Sequence, residues 1–132
     1  MIYIMRETIK TSQAPAAIGP YSQAIKIAAG KIIFTAGQIA LDPATGRLIE
    51  GDIAAQTRRA LENVKAILAA SGAQLENVVK TTVFMADLGE FAAMNEVYGE
   101  FFPANPPARS TVEVKALPRG AKVEIEATAV LE

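Results

Sequence analysis

One arginine stands in an otherwise apolar, proline-flanked run, Asn105-Pro106-Pro107-Ala108-Arg109-Ser110-Thr111-Val112, and two glutamates, Glu124 and Glu126, follow close behind it. A guanidinium offers a rigid fork of donors that matches a carboxylate bidentately, and the prolines before it stiffen the backbone that carries it. Alternate residues of an extended segment share a face, so Arg109 lies with Thr111, Glu113 and Lys115, and Glu124 lies with Glu126. Two carboxylates side by side resist simultaneous ionisation, which suits a general acid or base. Plainer readings stay open for both. Arg109 also suits an exposed strand start or an internal pair with Glu113 or Glu126, and the glutamates suit an exposed or lysine-paired strand face.

Near the other end, Gly19-Pro20-Tyr21-Ser22-Gln23-Ala24 bends the chain and leaves Tyr21 at a strand start. There its ring can wall a pocket or simply pack. Thr35-Ala36-Gly37-Gln38 ends the next strand, and Gly37 permits close approach of a ligand or another backbone, or an ordinary bulge.

The rest of the composition narrows the chemistry. The chain has 132 residues with no cysteine and no histidine, so thiolate nucleophiles, imidazole bases, disulfides and the usual zinc or iron ligand sets are excluded. Carboxylates, hydroxyls, Tyr, Lys, Arg and backbone amides remain, and no cofactor or metal is expected. Thirteen basic against fourteen acidic residues give a net charge of −1 and leave no polybasic field for nucleic acid or anionic lipid. The apolar run at the N-terminus is too short for a secretory signal, and no later segment approaches a membrane-spanning length. A cytoplasmic protein is expected. The size suits one domain over residues 1–132, with residues 1–4 an upstream extension if Met5 is the start.

The elements that must position these groups are legible from period and punctuation. An extended segment spans Arg6 to Lys10, and Ser22 to Ala28 and Lys31 to Ala36 read as strands whose Ala29-Gly30 spacing suits a hairpin. Asp42-Pro43-Ala44-Thr45-Gly46 is a turn. A helix capped by Asp52 carries Ile53, Ala60, Leu61, Val64, Ile67 and Leu68 at three- and four-residue steps until Gly72. Val78 to Ala86 reads as a buried central strand. A second helix, capped by Asp87, has an inward stripe of Leu88, Phe91, Met94 or Asn95, Tyr98 and Phe101 and stops before Pro103. Two last strands, Ala108 to Leu117 and Lys122 to Leu131, flank the turn at Pro118 to Ala121. The order β-β-β-α-β-α-β-β predicts an α+β domain with both helices on one face of one sheet. An uncovered face rich in Val, Phe and Ile predicts a cyclic homo-oligomer. If the last two strands paired as a hairpin, Arg109 and Glu124 would stand roughly 20 Å apart, so a shared site would need neighbouring subunits or strands that do not pair directly.

Together, Gly19 to Ala24, Thr35 to Gln38, Val79-Lys80-Thr81-Thr82-Val83-Phe84, Pro107 to Val114 and Val123-Glu124-Ile125-Glu126-Ala127 resemble the Rid/YjgF family of reactive-intermediate imine deaminases. The resemblance spans about Thr11 to Glu132. It implies a chorismate-mutase-like fold, a homotrimer with active sites between subunits, and cofactor-free hydrolysis of 2-imino acids, derived from enamines such as 2-aminoacrylate, to 2-keto acids and ammonia. On the same basis Arg109 binds the substrate carboxylate, Glu124 positions or activates water, and Tyr21, Gly37 and Thr111 line the pocket. The best-known bacterial members carry cysteine where this chain has Thr111.

Other functions are separable. A trimer that binds or senses small 2-keto carboxylates would need Arg109 but not Glu124. A ribonuclease or translation inhibitor is disfavoured by the net charge and the lack of histidine. A chaperone-like surface would tolerate loss of Arg109.

Overall fold

Helix α1, Ile53–Ala70, forms where the chain combines a cap, an apolar stripe and a stop. Asp52 Oδ1 accepts from the Ala55 amide at 2.9 Å, and Gly72 takes a left-handed φ of 81° just beyond the end. Its buried residues include Ile53, Ala60, Leu61, Val64 and Leu68, the face expected from their spacing. Helix α2, Phe91–Phe101, is entered through a short 3-10 turn at Leu88–Glu90. Asp87 therefore caps that turn, accepting from the Gly89 amide at 2.8 Å, rather than α2 itself.

The structure, a computed structural model, describes residues 6–28 and 30–132. The extension at residues 1–4, the alternative start at Met5, and Ala29 of the expected turn lie outside the described residues. The strands are β1 (Arg6–Ile9), β2 (Ala24–Ile27), β3 (Lys31–Phe34), β4 (Val78–Met85), β5 (Ala108–Glu113) and β6 (Val123–Leu131). The α+β class and the order of elements are as expected.

Two pairings differ from the sequence reading. The β2 to β3 hairpin does not form: β2 pairs antiparallel with β1, and β3 pairs antiparallel with β6. Gly30 lies so close to β6 that a Cβ there would sit 2.2 Å from the Leu131 carbonyl oxygen, so the chain passes tightly onto the edge of β6. The last two strands do not pair either, because β4 lies between them in the order β3-β6-β4-β5. Strand β5 runs parallel to β4, and a parallel neighbour needs a long crossover, which α2 supplies. The other edge of β4 is then free for β6. The single expected sheet is thus drawn as two ladders, β1-β2 and the four-stranded sheet, joined by an isolated bridge between Ser22 and Ala108.

Alternation sorts the sheet into two faces. Thr81, Val83 and Met85 of β4 and Val123, Ile125, Ala127 and Ala129 of β6 are buried, and most of them join Leu61, Val64 and Leu68 of α1 and Met94 and Tyr98 of α2 in one core. Each large apolar side chain so buried contributes about 1.5–3 kcal/mol relative to exposure. The opposite face carries Ile32, Phe34 and Val112, with Phe34 75 % exposed. Among the described residues no helix is long and apolar enough to cross a membrane.

Candidate active site

Parallel register sets Arg109 opposite Thr81, so the guanidinium points to the face that the helices cover. Of the alternatives left open for Arg109, the exposed strand start does not hold: Thr81 is buried, and its hydroxyl shares a 2.7 Å hydrogen bond with the Tyr98 phenol of α2. The Arg109 Cζ stands 4.7 Å from the Tyr98 ring centroid, 5.5 Å from Tyr21 and 5.6 Å from Phe91. Aromatic faces attract a guanidinium through their quadrupole and keep water from it. Arg109 Nη1 donates to Asn95 Oδ1 at 2.7 Å. Among the described residues the ion pairs are Arg58 with Glu100 and Lys122 with Glu90, so Arg109 has no carboxylate partner there. Glu113, one of its expected partners, instead accepts from the Leu88 amide at the entry to α2.

Burial pushes the Arg109 guanidinium below the ordinary arginine value, with Tyr98 and Tyr21 acting in the opposite direction. It remains a cation at any physiological pH. Burial pushes the Tyr98 phenol up to about 12, against the smaller pulls of its Thr81 hydrogen bond and the Arg109 charge. The cage is therefore neutral apart from Arg109 itself. It is a cation held in place with its counter-charge missing, which suits an anionic ligand.

Tyr21 reaches Arg109 because two distant loops are stitched together. The Ser22 amide donates to the Pro107 carbonyl at 3.1 Å, and the Ser22 hydroxyl donates to the carbonyl of Pro106. Gly19-Pro20 closes a tight turn in which the Tyr21 amide donates to Gly19 at 2.8 Å, and the Tyr21 phenol accepts from the Ile18 amide at 3.3 Å. Gln23 holds the preceding loop by accepting from the Thr11 amide and donating to the Pro15 carbonyl. Asn105 turns the chain with a φ of 47° just before the prolines, and Arg6 Nη2 bonds its carbonyl at 2.9 Å. Thr111 shares the Arg109 face two residues on, and its Oγ1 is shielded from water with no hydrogen-bond partner. An orphaned hydroxyl is costly unless something satisfies it.

Glu124 lies on the other face. It stands opposite Phe84 of β4, in register with Val112, on the side that the helices leave open. Two strand spacings and three residues of rise put its Cα roughly 14 Å from that of Arg109, and the side chains leave the sheet in opposite directions. Gly37 is brought to Glu124 by reciprocal backbone bonds between Gln38 and Ile125, 2.8 and 3.0 Å long. A Cβ on Gly37 would fall 2.8 Å from Glu124 Cδ and 3.0 Å from Oε2, so the missing side chain is what lets the carboxylate lie against the backbone. Glu126, also on this face, lines a pit of about 180 Å³ with Lys80, Thr82 and Thr128. One chain thus assembles two clusters, candidate half-sites: Arg109, Tyr21 and Thr111 on one face, Glu124 and Gly37 on the other. Among the described residues no cluster of carboxylates could hold a metal ion.

A family model described as Endoribonuclease L-PSP matches residues 11–131. Protein DfrA of Myxococcus xanthus is 58 % identical over 125 residues, covering 95 % of each chain. The Mus musculus protein named 2-iminobutanoate/2-iminopropanoate deaminase is 48 % identical over 130 residues, covering 98 % of this chain and 95 % of that one. The crystal structure of the E. coli YjgF gene product is 50 % identical, covers 96 % of this chain and 99 % of the other, and superposes with a TM-score of 0.74. This chain belongs to the Rid/YjgF family.

Four of the five sequence blocks that resemble Rid/YjgF proteins meet in these two clusters, since Gly19 to Ala24 meets Pro107 to Val114, and Thr35 to Gln38 meets Val123 to Ala127; the fifth, Val79 to Phe84, lies in β4 between β5 and β6. Sequence reasoning left three residues around Arg109 unassigned. Phe91 and Tyr98 read only as an inward stripe, and Asn95 only as an alternative to Met94. Met94 takes the core position, which turns Asn95 aside toward Arg109. A polar residue one step off an apolar stripe was the available signal.

Proposed function

We propose that this protein is a cofactor-independent deaminase that hydrolyses reactive 2-imino acids to 2-keto acids and ammonia, in clefts between the subunits of a cytoplasmic homotrimer. The observation that carries this reading is the Arg109 guanidinium, caged by three aromatic rings and one neutral acceptor and, among the described residues, paired with no carboxylate. That arrangement fits a small carboxylate ligand, and the mammalian relatives named 2-iminobutanoate/2-iminopropanoate deaminase make the 2-imino acids the first substrates to test.

In the proposed reaction Arg109 binds the carboxylate and sets the C=N carbon at the cleft between subunits. The substrate enters as the protonated imine; Glu124 accepts a proton from water as the water oxygen bonds to that carbon and the C=N π electrons move to nitrogen, giving a neutral carbinolamine. Glu124 then gives this proton to the amine, the C–N bond breaks as the hydroxyl proton passes back to Glu124, and the departing ammonia takes that proton away as ammonium, leaving the keto acid and an ionised Glu124. An imine carbon is already electrophilic, so positioning and one carboxylate suffice. Thr111 supplies a hydroxyl to the reacting nitrogen or oxygen. The trimer is supported by two features: the half-sites lie on opposite faces of the sheet, and the face that carries Glu124 also exposes Phe34, Ile32 and Val112.

The test generates 2-aminoacrylate from serine with a dehydratase and follows keto-acid release. Wild type accelerates release. Arg109→Ala loses carboxylate binding, and Glu124→Ala loses on the order of 10²-fold or more in turnover while still binding keto acid. No acceleration across small and branched imines by folded, oligomeric wild type would sink the reading. One observation favours a second, non-catalytic reading: the Arg109 cage is complete within one chain, so a binding or sensing protein needs nothing from Glu124. Keto-acid binding without turnover would establish it.

A further inference from the structure

Resting on the carboxylate-binding role of Arg109, we propose that Asn95 is a positioning residue whose function requires an uncharged acceptor. Arg109 leaves β5 toward α2, where three rings surround the guanidinium at 4.7 to 5.6 Å from its Cζ and offer it aromatic faces rather than hydrogen-bond acceptors. Asn95 supplies the acceptor: its Oδ1 takes one Nη1 hydrogen at 2.7 Å. The side chain is itself confined. Asn95 is half-buried on α2 between buried Met94 and an exposed turn face, and its Nδ2 lies within 3.2 Å of where a Cβ on Gly19 would be, so the Gly19-Pro20 turn closes over it. Ring contacts alone would let the fork slide across the aromatic faces; the amide fixes which N–H groups point outward.

Neutrality is the second part of the proposal. An aspartate has the same shape and would accept the same hydrogen bond more strongly. It would also cancel the guanidinium charge at a distance where the attraction is large in a half-buried setting. An internal carboxylate would then occupy the role of the ligand's carboxylate. The amide accepts one hydrogen and leaves the positive charge uncompensated for the ligand. A residue that merely filled space would not distinguish the two side chains.

The experiment compares wild type, Asn95→Asp and Asn95→Ala, each verified as folded and of wild-type oligomeric size. The readouts are KM and kcat for in situ imine and the Kd of 2-ketobutyrate by calorimetry. The expected order of affinity is wild type, then Ala, then Asp, with the Asp variant raising KM and Kd by about tenfold or more and kcat changing far less. Wild-type affinity in Asn95→Asp overturns the requirement for neutrality. Ala as the weakest binder, with Asp close to wild type, shows a space-filling role and overturns the proposal as well. If wild type binds 2-ketobutyrate without deaminating imines, the deaminase reading falls while the Kd order still decides the role of Asn95. If wild type binds no keto acid at all, both fall together.

Discussion

Gly37 illustrates how one absent side chain can set the place of a carboxylate, here the proposed water-activating Glu124. The space a Cβ would need is taken by the Glu124 carboxylate, with Cδ at 2.8 Å, closer than a Cβ tolerates. Gly37→Ala is expected to displace Glu124 and lower kcat at least about tenfold with little change in keto-acid affinity, since Arg109 lies on the other face. Steady-state kinetics beside ligand calorimetry checks this. Thr111 makes the opposite kind of prediction, in which stability and activity diverge. Its orphaned hydroxyl is a liability to the fold, so Thr111→Val is expected to leave stability unchanged or raise it by about 1 kcal/mol while lowering turnover. Equal activity in the valine variant would remove Thr111 from the reaction. Tyr98 gives a pH signature. Its folded-state value of about 12 lies above the ordinary 10, so the neutral phenol favours folding below pH 10, and that contribution is lost as pH rises toward 12. Denaturation titrations should show Tyr98 contributing a fall of about 2 kcal/mol across that window, so the slope is shallower by that amount in Tyr98→Phe.

At the scale of elements, the site depends on two seams. The first ties the start of β2 to the prolines before β5, through Ser22 bonding to Pro106 and Pro107. Ser22→Ala removes the side-chain bond from a buried position. It is expected to cost about 1 kcal/mol of stability, read by chemical denaturation, and to raise KM because Tyr21 and Arg109 lose their fixed spacing. The second seam joins Gln38 to Ile125 and carries Gly37 to Glu124. Local signals read the helices well: Asp52, Gly72 and the apolar steps of α1 act within a few residues of themselves. Strand pairing was less legible. Nothing within Ser22 to Ala36 says that β3 belongs beside β6 rather than β2, because the competing partner lies almost a hundred residues away.

For the whole molecule, the placement of Arg109 and Glu124 on opposite faces makes assembly a matter of chemistry. The proposed trimer joins the Arg109 half-site of one subunit to the Glu124 half-site of the next. Inactive Arg109→Ala and Glu124→Ala chains, unfolded and refolded together in equal amounts, should then recover about a quarter of wild-type activity, since that share of interfaces would carry both intact groups. No recovery in mixed oligomers would place both groups in a site of another design. The exposed Phe34 offers a second handle: a charge at Phe34→Glu is expected to shift the oligomer toward monomer in sedimentation and to abolish turnover while the Arg109 cage stays intact.

By itself the sequence determined the chemical vocabulary, the helices, the order of elements and the alternation that groups Arg109 with Thr111 and Glu124 with Glu126. Those properties are carried by residue type and by contacts between near neighbours in the chain. Only the tertiary structure decided that β4 separates β5 from β6, that the face of Arg109 is covered by α2, and that Asn95, Phe91 and Tyr98 surround the guanidinium. Which face of a strand is buried depends on where the helices pack. The parallel crossover through α2 settles that across long range, through burial of the core that Val83, Met85 and Ile125 share with both helices.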